Sequence, residues 1–157
     1  MCSFAVRNSL LQVLFAVLTL VLAAATEDLS PKFASVGFPV LLSAVQFMAV
    51  RRRTLAAVAF AIAAGVMEDA LSSLPVMTSA SYFLGVAAVS RWLEFPRAVT
   101  VLTYPFYQAW LWMWVPEIGG NIFRRMLVAL PMGLFAAFAV GALLALAERR
   151  SAIDEAG

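Results

Sequence analysis

The chain has no histidine, and its one cysteine, Cys2, is its second residue. An internal disulfide is therefore impossible. Zinc sites built on histidine and cysteine, Ser-His-Asp triads and Cys-His dyads all lack the groups they require. Charge is scarce as well: Asp, Glu, Lys and Arg make up 13% of the 157 residues, against about a quarter in a water-soluble domain. Apolar residues fill the space, at 64% of the chain and a mean hydropathy of +0.93. That balance implies an integral membrane protein with no length left for a soluble domain. Linkers, low-complexity stretches and long-period repeats are also absent. The net charge of +2 comes from arginines at the ends of apolar runs, so membrane topology accounts for it and no nucleic-acid partner is expected.

Six apolar runs predict an all-α, polytopic bundle, a single transmembrane domain over residues 1–157. The helices are expected at about 9–25, 33–50, 54–71, 76–93, 98–115 and 126–147. The first run follows Arg7 and ends in Ala23-Ala24-Ala25, features shared with a secretory leader. Cleaved or not, it leaves Glu27 outside and the later helices oriented alike. The second has Gly37 and Pro39 near its start, where a proline costs least. It stops at Arg51, Arg52 and Arg53, the strongest orientation signal present, because positive charge in short loops marks the cytoplasmic side. On this path Arg7, Arg51, Arg52, Arg53, Arg91, Arg97, Arg149 and Arg150 fall inside, and only Lys32, Arg124 and Arg125 outside. Both termini are then cytoplasmic.

The rest of the chain is organised around Ala56 to Tyr82, which holds two adjacent acids, Glu68 and Asp69, before a break at Ser72, Ser73 and Pro75. At about 1.5 Å per residue Asp69 stands roughly 24 Å from Arg53, near the outer face of a core about 30 Å thick. Stepping back by fours from Asp69 gives Gly65, Ala61 and Ala57, a small-residue stripe that lets helices approach closely. Glu68 lies roughly 100° away and is expected at the rim. A membrane carboxylate needs water or a partner, and Arg124 or Arg125, at the same depth, is the expected partner of Asp69.

The fourth run offers Ser81, Gly85 and Val89 as a small face. In the fifth, Tyr104, Tyr107, Trp110, Trp112 and Trp114 gather beside Pro116 as an outer interfacial belt; Tyr107, Trp110 and Trp114 share one helical face and form a candidate docking surface. PEIGGN, Pro116 to Asn121, is an outer turn. The sixth carries Gly133, Ala137, Gly141 and Ala145 at intervals of four, a seam for close helix contact. The tail from Glu148 reads as polar and frayed.

Two stretches together, GFPVLLSAVQFMAVRRR (Gly37 to Arg53) and GVMEDALSSLPVMTSASYFLG (Gly65 to Gly85), resemble the rod shape-determining protein MreD family of bacteria. Pro39, Arg51 to Arg53, Gly65, Asp69 and Pro75 fall in the family's order. The chain departs from it at Met77, where members often have glycine, and at Ser79, where they often have histidine or asparagine. The resemblance implies a non-enzymatic inner-membrane component of the cell-shape and peptidoglycan elongation machinery, without cofactor or metal. It implies an MreC-like single-span partner and association with the MreB filament and the peptidoglycan synthases. It also implies a bundle similar to the substrate-binding subunits of energy-coupling-factor transporters.

That similarity supplies a rival expectation, a membrane subunit binding a vitamin-type small molecule. The few polar groups such a pocket would use are Gln108, Asn121 and Glu117. An intramembrane enzyme has less to recommend it, since the serines near Asp69 lack a general base. On the scaffold reading Gly65, Glu68, Asp69, Pro75, Arg124, Arg125, Tyr107, Trp110 and Trp114 are partner-binding or structural candidates. Arg51 to Arg53 set topology or meet membrane lipids at the cytoplasmic face.

Overall fold

A computed structural model describes residues 2–29, 36, 38–93, 96–115 and 121–154. Expectations placed on Lys32, Gly37, Glu94 and the Pro116 to Gly120 turn, with Glu117 in it, lie outside those residues. The described residues form six helices: α1 (Cys2–Leu29), α2 (Val40–Arg51), α3 (Thr54–Leu71), α4 (Thr78–Leu93), α5 (Pro96–Trp114) and α6 (Ile122–Asp154). Two stretches, Thr54–Leu71 and Ile122–Ala147, are long and apolar enough to cross a membrane. Val13–Thr26 and Val40–Arg51 are shorter apolar helices.

The centre of the bundle is α2, against which α1, α3, α4, α5 and α6 all pack. Every residue from Leu41 to Ala49 is buried, Ser43 and Gln46 included. With apolar residues on all its sides and only Ser43 and Gln46 among them, the helix has no polar face to give to its surroundings, and so it ends up enclosed. The organising element is thus α2 rather than the α3–α4 stretch singled out by its acids. Around it, α3 packs on α4, α4 on α5 and α5 on α6, as short connections between consecutive helices dictate.

Helix ends differ from expectation where local chemistry outweighs hydropathy. Pro39 precedes α2 instead of lying inside it, and both it and Val36 are fully buried. Buried non-helical backbone is tolerable where its polar groups find partners within the protein. The Ser43 N–H and hydroxyl both donate to the Pro39 carbonyl, at 3.1 and 2.8 Å. α6 begins at Ile122 because Asn121 Oδ1 accepts the Phe123 N–H at 3.0 Å, a side-chain cap of the kind helix starts favour. It runs on to Asp154 rather than fraying after Ala147. No glycine or proline follows Ala147 before Asp154, and charge alone does not stop a helix. α1 reaches back to Cys2 for the same reason.

Candidate functional site

Where α3 meets α4, Gly65 allows the two backbones to touch. A methyl group on Gly65 would overlap the Ala80 backbone and stand 2.9 Å from the Ala80 Cβ. The stripe of Gly65, Ala61 and Ala57 therefore packs within the bundle, and all three residues are buried. The connecting turn is tight: Leu74 N–H donates to the Asp69 carbonyl at 2.9 Å and Thr78 N–H to that of Pro75 at 3.2 Å. Pro75 itself is exposed. Ser73 and Met77 adopt φ of 53° and 73°, the left-handed region in which only glycine is comfortable. Met77 holds this conformation without being a glycine.

Asp69 is buried to 3% exposure and faces inward. Its Oδ1 accepts the Ser79 N–H at 2.8 Å, one of the unsatisfied donors in the first turn of α4. This corrects the expected ion pair, because no cation pairs with Asp69 among the described residues. A backbone donor left open by the helix start, favoured for anions by the helix dipole, lies ten residues away and takes the place a guanidinium would fill. Asp69 Oδ2 is buried without a hydrogen bond. Glu68 is also buried rather than at the rim, and Ser72 Oγ donates to its Oε1 at 3.2 Å.

From Ser79 the hydrogen bonds continue across the bundle. The Ser79 hydroxyl shares a 2.6 Å hydrogen bond with the Tyr107 hydroxyl on α5. Trp110 Nε1 donates to the Thr78 carbonyl at 3.0 Å, and the Tyr82 hydroxyl donates to the Thr103 carbonyl. Gln46, from the enclosed α2, donates through Nε2 to Thr103 Oγ1 at 2.9 Å. The rings of Tyr82, Phe83 and Tyr107 pack around this junction, with Tyr107 centred 5.1 Å from Tyr82 and 5.6 Å from Phe83. Four helices are thereby tied to one another by side chains that hydropathy ranks as interruptions.

Arg125 is buried to 7% exposure and donates from Nη2 to Gln108 Oε1 at 3.1 Å, joining α5 to α6. Arg124, one position away, is exposed. The aromatic face divides by depth: Tyr107 is buried, Trp110 half-buried, and Trp114 exposed while stacked obliquely on Trp110 at 5.7 Å. In α4, the face of Ser81, Gly85 and Val89 turns outward, and a methyl on Gly85 would meet nothing. The buried side of α4 is Ser79, Ala80, Phe83, Val86, Ala87 and Ser90. Bulkier Phe83 fills the interior better than Gly85.

The three arginines after α2 are placed differently from one another. Arg51 lies over the Phe47 ring at 5.6 Å and Arg52 over the Phe15 ring at 5.4 Å. Arg53 is exposed at the start of α3. Arg91, read from sequence only as a topology charge, donates from Nη1 to the carbonyls of Ala49 (3.3 Å) and Arg52 (3.0 Å). It thus caps the carbonyl end of α2 as basic groups favour. Ser79, Thr103 and Gln46 are the other contributors missed from sequence. No family model, curated protein or solved structure matches the chain.

Proposed function

We propose that the chain is a six-span protein of the bacterial inner membrane, both termini cytoplasmic, acting as a non-enzymatic scaffold. On this reading it docks an MreC-like single-span partner within the peptidoglycan elongation machinery, alongside the MreB filament and the synthases. The observation that carries the proposal is the contrast between the inside and the outside of the bundle. Inside, polar side chains bond to groups of the bundle itself: Asp69 to the Ser79 N–H, Tyr107 to the Ser79 hydroxyl, Trp110 to the Thr78 carbonyl and Arg125 to Gln108. Outside, large apolar side chains stand exposed along whole helix faces, among them Leu14, Leu18 and Leu22 of α1 and Leu127, Phe135 and Leu143 of α6. Such faces are costly in water and at home in lipid or against another membrane helix.

A small-molecule binding subunit would need polar groups left open toward a pocket. Gln108 is bonded to Arg125, and Asn121 caps α6. Ser79 Oγ meets a phenol, which is no general base near neutral pH. These arrangements favour holding over transport or catalysis. The test is a detergent pull-down of the full chain from its native membrane with mass spectrometry of what stays bound. Recovery of an MreC-like protein or of cell-wall synthases is expected. Recovery of an ATPase pair with a coupling subunit, or of a tightly held vitamin, would overturn the scaffold reading.

A further inference from the structure

Two turns along α3 from the Gly65–Ala80 contact, the space between α3 and α4 opens into a groove of about 390 Å³. Its walls are Ala57, Val58, Leu84, Ala87, Ala88 and Trp92, with Thr54 and Arg91 at one end. The alanines leave the gap unfilled, whereas Gly65 and Ala80 close it further along. Leu84 to Trp92 spans roughly 12 Å at 1.5 Å per residue. The groove is apolar along its length and cationic at its mouth.

The cations there are specific. Arg91 is exposed and spends Nη1 on the Ala49 and Arg52 carbonyls, leaving Nε and Nη2 without a partner among the described residues. The Arg52 carbonyl it holds belongs to the peptide bond with Arg53, so the backbone of Arg53 stands beside the Arg91 head. Arg53 is exposed and its side chain makes no hydrogen bond or ion pair among the described residues. Arg51 and Arg52 are drawn back over phenylalanine rings. Trp92, 83% exposed, sits on the next position of α4, at the level an interfacial tryptophan prefers.

We infer that this groove binds one anionic phospholipid, its acyl chain between α3 and α4 and its phosphate on Arg53 and Arg91. An apolar slot with the Arg91 guanidinium at its mouth, and the exposed Arg53 following the carbonyl that Arg91 holds, matches an amphiphile with a negatively charged head. A zwitterionic lipid offers the same chain but adds a cation to the mouth. The inference rests on the membrane reading above, and with the arginine end cytoplasmic the lipid comes from the inner leaflet.

The test is native mass spectrometry of the full chain released from detergent, with phosphatidylglycerol or phosphatidylcholine added. Wild type is expected to retain phosphatidylglycerol preferentially. Arg53→Gln should weaken that retention about fivefold, the equivalent of about 1 kcal/mol for one arginine near a membrane surface. Ala88→Phe, which fills the groove, should reduce retention of both lipids, and Arg124→Gln, at the opposite end of the bundle, should change neither. Because Arg91 also holds the end of α2, Arg53→Gln carries the charge test without risk to the fold. Equal retention of the two lipids, or a preference untouched by both Arg53→Gln and Ala88→Phe, would overturn the inference. So would loss of a co-purifying protein, rather than lipid, on Arg53→Gln, since a partner's acidic helix end would then occupy the groove. Failure of the membrane reading is distinguishable, because the chain would then stay in solution without detergent.

Discussion

Replacing Gly65 by alanine adds one methyl group at the tightest point between α3 and α4. That carbon would stand 2.5 Å from the Ala80 nitrogen and 2.9 Å from its Cβ, against 3.4 Å or more in ordinary contact. The atoms in the way are backbone, so no rotamer change relieves the clash. The helices must part by roughly an ångström, an overpacking that costs about 1–3 kcal/mol. Parting also stretches the buried 2.8 Å bond from Ser79 N–H to Asp69, worth about 1 kcal/mol. Alanine's better helix propensity returns about 1 kcal/mol, so the net loss is about 1–3 kcal/mol. Thermal unfolding in detergent, followed by circular dichroism, should show Tm falling by about 5 °C. Gly85→Ala supplies the internal control: its methyl meets nothing, leaving only a propensity gain of up to about 1 kcal/mol. The expected order of Tm is Gly85→Ala, wild type, Gly65→Ala. A Gly65→Ala protein melting at or above wild type would refute the close contact.

Other perturbations test the polar network and the turn. Met77→Gly relieves a left-handed residue that is half exposed and packs little. It should stabilise by about 0.5–1 kcal/mol once glycine's added chain entropy is subtracted, read as a raised Tm. Asp69→Ala removes the acceptor for Ser79 N–H and should cost about 1–2 kcal/mol, as loss of a helix cap does. Asp69→Asn keeps an acceptor oxygen and should cost less than Asp69→Ala in the same melt; equal losses would show that charge, not capping, is what matters there. Tyr107→Phe keeps the ring packing but strands the Ser79 hydroxyl, at about 1–2 kcal/mol. Gln108→Leu removes an acceptor from buried Arg125 and should cost about 1.5–3 kcal/mol, with Arg125→Met in the same background recovering part of it; no recovery in a double-mutant cycle would argue that the pair is not coupled.

The amino-acid sequence by itself determined that the chain is helical and largely apolar, because hydropathy and the spacing of breakers are local properties. α3 runs from Thr54 to Leu71, matching the expected helix, since Arg53 and the Ser72-Ser73 break bound an uninterrupted apolar run. The inward direction of Asp69 and the small stripe behind it were legible too, from helical periodicity alone. What Asp69 would bond to was not, because a backbone N–H leaves no mark in a pattern of side chains. Hydropathy named two arginines as its partner, and packing supplied Ser79 instead. The enclosure of α2 was equally hidden, since a lipid-facing and a protein-facing helix read alike when apolar residues lie on all sides. The same ambiguity turned Ser81, Gly85 and Val89 outward and Phe83 inward. Which surface of an apolar helix is the core is settled by how neighbouring side chains fill volume, and that is a property of the tertiary structure.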